Sequence, residues 1–78
     1  MALKDLIATI AEALVDDPDA VEVDEVDGDD GCIIELKVAQ DDIGKVIGKD
    51  GRTAQSMRVL LTAAATKEGR RAHLDILD

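Results

Sequence analysis

The first segment of the chain carries apolar side chains at the spacing of an α-helix. They are Leu3, Leu6, Ile7, Ile10, Ala11 and Leu14. Residues three and four apart share one face of a helix, so this spacing predicts an amphipathic helix over residues 2–15. Asp16-Asp17-Pro18 ends the helix, because the residue before a proline avoids the helical region of backbone conformation.

Alternating apolar positions predict three strands. The first begins at Val21-Glu22-Val23 and loses its alternation at Val26, where a β-bulge would account for the change of face. The second has one buried face, and Ile33 is an exception on the opposite face. That buried face consists of Cys32, Ile34, Leu36 and Val38. The third strand alternates at Ala72, Leu74 and Ile76.

Two further helices are predicted between the second and third strands. The shorter one covers about residues 42–47 and begins at Asp41-Asp42, whose charges suit the positive end of a helix. It stops at Gly48, and the longer helix runs from about 51 to 67 before closing at Glu68-Gly69. The buried stripe of the longer helix is Ala54, Met57, Leu61, Ala64 and Ala65.

The order helix, strand, strand, helix, loop, helix, strand indicates a single α+β domain over residues 1–78. Three helices on one face of a three-stranded sheet make a stable two-layer arrangement. The last helix carries the chain back across the sheet, so a mixed sheet is predicted. A chain of 78 residues suits one small domain without a large enclosed active site.

Two loops share the pattern Gly-x-x-Gly but differ in their setting. Gly28-Asp29-Asp30-Gly31 is acidic and lies between two strands, so we interpret it as a hairpin connection. Gly48-Lys49-Asp50-Gly51 lies between two helices, with apolar residues at 43, 46 and 47 and bases at 45, 49 and 52. Glycines let a sugar-phosphate backbone approach closely, and amide groups at a helix start favour anions. The second loop therefore predicts a single-stranded nucleic-acid site.

Charge is distributed unevenly along a chain whose net charge is −9. Residues 1–36 hold 12 acids and one base, whereas residues 37–78 hold 6 acids and 8 bases. The acidic half opposes non-specific binding of polyanions, but the segment around the second loop is basic. The chain has no aromatic residues, which excludes the base-stacking platforms of RRM domains and most OB-folds.

Catalysis and metal binding find little support. Cys32, Ser56 and His73 are each the only residue of their type and lie far apart, so neither an enzyme nor a cofactor is expected. An EF-hand register from Glu25 would place Asp30 where glycine is required and a leucine where the bidentate glutamate belongs. A Walker A loop is absent. We interpret His73 as a structural or surface residue.

Localisation is predicted from the same composition. No basic segment followed by an apolar core opens the chain, so no secretory signal is expected. No apolar run approaches about 20 residues, so no membrane span is expected. The lone Cys32 is predicted to be a buried, reduced thiol in a cytoplasmic protein.

The segment Ile43-Gly44-Lys45-Val46-Ile47-Gly48-Lys49-Asp50-Gly51 resembles the signature of the KH domain, an RNA-binding module. The order of elements resembles its type II arrangement, and the length resembles small bacterial proteins with a single KH domain. The resemblance implies a cytoplasmic protein that holds about four unpaired RNA nucleotides in a groove. It also implies pairing with itself or with a larger KH-containing partner. The implied RNA-binding residues are Ile43, Gly44, Lys45, Val46, Ile47, Gly48, Lys49, Asp50, Gly51 and Arg52.

Several roles within this segment stay open at the level of sequence. Val46 and Ile47 point in different directions on a helix, so at least one is core, and we favour Ile47. Lys45 and Arg58 are either phosphate contacts or solvated charges, and Asp50 is expected to cap the next helix through the Thr53 amide. The groove walls are expected to be Ile43, Val46 or Ile47, together with Ile34 or Leu36.

Three functions are compatible with the sequence. The leading hypothesis is single-stranded RNA binding by a small chaperone or post-transcriptional regulator. The alternative is a KH-fold interaction or dimerisation module with weak RNA affinity, in which the small side chains at 63–65 let a second copy or a partner pack closely. A binder of small phosphorylated molecules is the third, disfavoured by the shortage of residues that would form a pocket.

Overall fold

The computed structural model describes residues 2–78 and shows a three-stranded sheet with helices on one face. The helices and strands follow the predicted order with ends that differ by one or two residues. They are α1 (Leu3–Leu14), β1 (Glu22–Gly28), β2 (Gly31–Lys37), α2 (Ile43–Ile47), α3 (Arg52–Lys67) and β3 (Ala72–Ile76). Short 3₁₀ turns lie at Pro18–Ala20 and Gln40–Asp42, and a turn with non-helical backbone at Asp50 covers Lys49–Gly51.

The sheet is mixed, as predicted. β1 pairs with β2 in antiparallel register, and β3 lies parallel to β2, so β2 is the central strand. A parallel neighbour requires a crossover connection, which α2, the loop and α3 provide. The α+β fold class and the mixed three-stranded sheet are therefore confirmed.

One cluster of buried apolar side chains joins α1, α2, α3 and the inner face of the sheet. From the predicted stripe of α1, Leu3, Ile7 and Ala11 belong to the cluster, whereas Leu6 and Ile10 are partly buried and Leu14 is exposed. The predicted stripe of α3 is buried except for Ala64, which is partly buried. Cys32 is a free thiol, and its predicted burial is confirmed. The cluster is Leu3, Ile7, Ala11, Val15, Cys32, Ile34, Leu36, Val38, Val46, Met57, Leu61, Ala65, Ala72 and Leu74.

The bulge expected at Val26 is absent. β1 and β2 pair without interruption from Glu22 opposite Lys37 to Gly28 opposite Gly31. Val26 lies directly opposite Ile33, and both are exposed on the outer face of the sheet. Cross-strand pairing of two apolar side chains explains both departures from alternation without an inserted residue. The predicted hairpin turn at 28–31 is confirmed.

The preference for Ile47 as the core residue of α2 was wrong. Val46 is completely buried, whereas Ile47 is partly buried. α2 is only five residues long, so its apolar positions do not define a face by periodicity alone. Packing of α2 against α3 decides which side turns inward.

Arg70 connects the start of β3 to the other two strands. Its Nη2 atom lies 2.8 Å from Glu25 Oε2 and 3.3 Å from the Sγ atom of Cys32, and Nη1 lies 3.5 Å from Glu68 Oε1. The hydrogen bond to Glu25 is the main cause that raises the pKa of Arg70 above its ordinary value. Among the helices of residues 2–78, none is long and apolar enough to cross a membrane.

Candidate nucleic-acid interface

The loop between α2 and α3 is a tight turn built from left-handed backbone conformations. Gly48 has φ 78° and ψ 173°, Asp50 has φ 58° and ψ 24°, and Gly51 has φ 74° and ψ 13°. Glycine adopts positive φ without steric cost, and aspartate tolerates it better than most residues. The Gly48 N–H donates to the Gly44 carbonyl at 2.9 Å, and the Gly51 N–H donates to the Gly48 carbonyl at 3.2 Å. The turn is therefore held by its own backbone.

Gly48 is required by the fold as well as by its conformation. A Cβ atom at this position would overlap Oγ1 of Thr53 and lie 2.7 Å from its Cβ and 2.8 Å from its backbone nitrogen. Such distances are far below van der Waals contact, so the loop closes onto the first turn of α3 only because this side chain is absent. At Gly51, by contrast, a Cβ atom would meet nothing within 4 Å, so this part of the loop backbone is open to a phosphate.

The predicted capping role of Asp50 was wrong. No side-chain hydrogen bond caps the start of α3, and the N-cap residue is Gly51. The left-handed conformations of Asp50 and Gly51 move the aspartate out of the capping position. Its carboxylate is therefore an exposed negative charge beside Lys49.

Some of the amides expected to face a phosphate are already used. The N–H groups of Gly51 and Arg52 donate to the carbonyls of Gly48 and Lys49. The orphan N–H groups that favour anions are therefore those of the first turn of α3 beyond these two positions.

The basic side chains in and around the loop differ in whether they form salt bridges. Lys49, Arg52 and Arg58 are exposed, and within residues 2–78 no salt bridge involves them. Lys45 is different, because its Nζ lies 3.2 Å from Asp16 Oδ2 and 3.4 Å from Asp42 Oδ1. The hydrogen bond to Asp16, followed by that to Asp42, raises the pKa of Lys45 above its ordinary value.

Asp42 is a structural residue whose role the sequence pattern did not reveal. Among residues 2–78 it is the one charged residue that is buried, with 3% of its surface exposed. Its Oδ2 accepts a hydrogen bond from the Asp17 N–H at 3.1 Å, so it ties the connection after α1 to the start of α2. Burial raises the pKa of Asp42, but hydrogen bonds from the backbone of Asp17 and Asp16 and from Lys45 outweigh it and leave the pKa lowered.

The predicted groove walls are only partly present. Val46, Ile34 and Leu36 are completely buried, so they do not line an accessible surface. The apolar surface beside the loop consists of Ile43 and Ile47, which are partly exposed. Between them Gly44 is exposed, and a Cβ built on it meets nothing within 4 Å.

The loop is an open surface rather than a pocket. Depressions of about 520 Å³ at the β1–β2 hairpin and about 340 Å³ along α3 have no lining residue from the loop at 48–51. Within residues 2–78, His, Cys, Asp and Glu side chains form no group arranged to hold a metal ion. His73 is exposed on β3, as interpreted from the sequence.

α3 also carries an exposed apolar pair on its outward side. Val59 and Leu60 are 58% and 51% exposed. Of the alanines expected to meet a partner helix, Ala65 is buried in the core and Ala64 partly buried, so only Ala63 is exposed. The exposed apolar residues on the outward surface of α3 are therefore Val59, Leu60 and Ala63.

Comparison with known proteins identifies relatives of similar length. The family model described as KhpA/KhpB, KH domain, matches residues 4–76. A protein from Caldanaerobacter subterraneus subsp. tengcongensis, named RNA-binding protein KhpA, is 59% identical over 73 residues, which cover 94% of this chain and 97% of that protein. A protein of the same name from Aquifex aeolicus is 47% identical over 77 residues, 99% of this chain and 98% of that protein.

Solved structures of Era share the fold. An Era variant from Aquifex aeolicus bound to GDP·AlF4⁻ matches with a TM-score of 0.62 and 19% identity, over 95% of this chain and 29% of the Era chain. Era in complex with MgGDPNP and a segment of 16S ribosomal RNA matches with the same TM-score over 28% of its chain. This chain thus corresponds to less than a third of Era. Taken with the match over residues 4–76, the chain belongs to the KhpA/KhpB family of KH domains.

Proposed function

We propose that this protein binds single-stranded RNA through the loop at 48–51 and acts in the cytoplasm as a small RNA chaperone or post-transcriptional regulator without catalytic activity. The observation that carries the proposal is an open glycine turn between two helices, with Lys49 and Arg52 exposed and free of salt bridges within the described chain. The name RNA-binding protein, given to relatives that include one 59% identical to this chain, supports it.

The proposed mechanism relies on the backbone and on cations. Phosphates lie against Gly48 and Gly51 at the start of α3, where the helix dipole favours negative charge. Lys49 and Arg52 add direct charge, and Asp50 opposes it. Bases lie against the backbone of α2 at Gly44, where no side chain obstructs the surface. Because the chain lacks aromatic residues, aliphatic contact replaces stacking.

The test is a charge reversal in the loop with a matched control at the far end of α3. Lys49→Asp is expected to weaken binding of a short single-stranded RNA pool at least several-fold and to reduce the slope of log affinity against log salt by about 0.7. Lys67→Asp makes the same change about 22 Å away from Arg52 along the helix, beyond the screening length. Affinity is measured by fluorescence anisotropy, and thermal unfolding confirms that both variants fold.

The result that contradicts the mechanism is equally specific. If Lys49→Asp and Lys67→Asp reduce affinity by the same factor, the effect is one of total charge and the loop is not the phosphate site. If neither changes affinity, RNA lies elsewhere on the molecule.

A second function is favoured by the outward surface of α3. We propose that Val59, Leu60 and Ala63 pack against a second copy of this chain or against a larger KH-containing protein. The inclusion of KhpA and KhpB in one family description supports a partner of this kind. A dimer would present two loops to one RNA, and the resulting avidity would offset the weak affinity expected for a chain of net charge −9.

A further inference from the structure

Lys45 lies between two carboxylates that differ in exposure. The Asp42 side chain is 4% exposed and that of Asp16 is 82% exposed. Asp42 also accepts the hydrogen bond from the Asp17 N–H, so its position is fixed by the fold. The Asp16 carboxylate pairs with Lys45 and is exposed to solvent. The Asp42 carboxylate is thus held in place by the fold, whereas the Asp16 carboxylate can be exchanged for another anion on Lys45.

Lys45 precedes the candidate RNA-binding loop by about one helical turn. It lies in the last turn of α2, three residues before Gly48, where the helix ends. The hydrogen bond from the Gly48 N–H to the Gly44 carbonyl shows that helical geometry persists up to the loop. The loop therefore begins roughly 5 Å along the helix axis from Lys45, a separation that a lysine side chain can span to reach a phosphate bound at the loop.

We propose that Asp16 is an internal competitor of RNA: its carboxylate occupies on Lys45 the place that an RNA phosphate takes in the complex. Binding exchanges Asp16 for the phosphate, while Asp42 keeps the ammonium group in position. This inference rests on the proposed RNA-binding function. It attributes part of the reduction in RNA affinity to the ion pair between Asp16 and Lys45. The rest comes from general repulsion by the acidic half of the chain.

The exchange requires little rearrangement. Asp16 follows the C-cap residue of α1, and its side chain has only to rotate into solvent. An exposed ion pair contributes little to folding, so its loss leaves the domain intact. The hydrogen bond from the Asp17 N–H to Asp42 does not involve the Asp16 side chain, so it persists when that side chain changes.

The experiment compares Asp16→Asn with Asp19→Asn. Both residues are exposed and both changes remove one negative charge, but no salt bridge among residues 2–78 involves Asp19. Asp16→Asn is expected to tighten binding of a labelled single-stranded RNA pool about two- to fivefold, the effect of releasing one exposed ion pair. Asp19→Asn is expected to change affinity clearly less. Both are measured by fluorescence anisotropy at one salt concentration.

Repeating Asp16→Asn in a Lys45→Gln background identifies the contact. The gain in affinity is expected to disappear there, because no ammonium group remains to be released. An equal gain from Asp19→Asn, or a gain that survives in the Lys45→Gln background, overturns the inference. If the unaltered chain binds RNA and Asp16→Asn binds equally well, only this inference fails. If no variant binds, the proposed function fails with it.

Discussion

Two glycines near the end of α2 have different reasons for being glycine. At Gly48 the φ of 78° and the contact with Thr53 exclude any side chain. At Gly44 the backbone is helical and a Cβ atom would meet nothing within 4 Å. The fold therefore demands the first, whereas the second has no structural requirement. An unobstructed surface for RNA is the reason that we propose for Gly44.

Alanine substitutions separate these two reasons. Gly48→Ala is expected to destabilise the domain by about 1–3 kcal/mol, since a non-glycine residue is strained at positive φ. Gly44→Ala is expected to leave stability unchanged or to raise it by about 0.5–1 kcal/mol, because alanine favours a helix interior. Urea unfolding gives both values. Gly44→Ala is also expected to weaken RNA binding, and unchanged binding by this stable variant would argue against a base lying there.

At the scale of the element, α3 has two apolar sides with different purposes. The inward stripe of Ala54, Met57, Leu61 and Ala65 belongs to the core, and it was predicted correctly from helical spacing. Val59 and Leu60 point outward and are exposed in the isolated chain. Periodicity identified the inner stripe because several residues repeat in register. It did not identify the outer pair, since two apolar residues do not define a face.

The adjacent leucines of α3 test this division. Leu61 is 1% exposed and Leu60 is 51% exposed. Leu61→Ala is expected to cost about 2–5 kcal/mol of unfolding free energy, the range for a buried leucine. Leu60→Ala should stay within about 0.5 kcal/mol, as surface changes usually do.

Self-association is tested on the same helix. Leu60→Glu is expected to abolish any dimer of the unaltered chain, because it would bury a charge in the interface. Multi-angle light scattering over a range of concentrations measures the mass. A monomeric mass for the unaltered chain at its highest soluble concentration would remove the homodimer and leave the heterologous partner.

At the scale of the whole molecule, Asp42 links parts of the chain that are distant in sequence. It joins the connection after α1 to the start of α2, and through Lys45 it reaches Asp16. This places the acidic segment beside the basic one. The net charge of −9 is therefore only partly remote from the loop, although most of the acids lie in residues 1–36.

The lowered pKa of Asp42 predicts how stability depends on pH. A carboxyl whose pKa is lower in the folded state contributes stability above its unfolded value, near 3.8, and loses it as pH falls through the folded value. Asp42→Asn is therefore expected to be less stable than the unaltered chain at neutral pH, and the difference should shrink in acid. Urea unfolding of both proteins at about pH 7 and pH 3 measures it. A difference independent of pH would contradict an ionised Asp42.

The sequence by itself determined the secondary structure, the α+β class and the position of the loop. These depend on periodicity and on glycine, proline and aspartate at turns, which are local properties. It also distinguished the hairpin at 28–31 from the loop at 48–51, because the flanking patterns differ.

Only the tertiary structure decided which residues around the loop are available. α2 is too short for its periodicity to define a buried face. Its packing against α3 therefore determines that Val46, rather than Ile47, points into the core. Asp50 lost its capping role because the left-handed turn gave that position to Gly51. Lys45 acquired a second carboxylate partner, Asp16, from a segment that the pattern could not bring near it, since Asp16 is 29 positions away in the chain. Spacing along a sequence describes what one element does, whereas contacts between elements depend on how they pack.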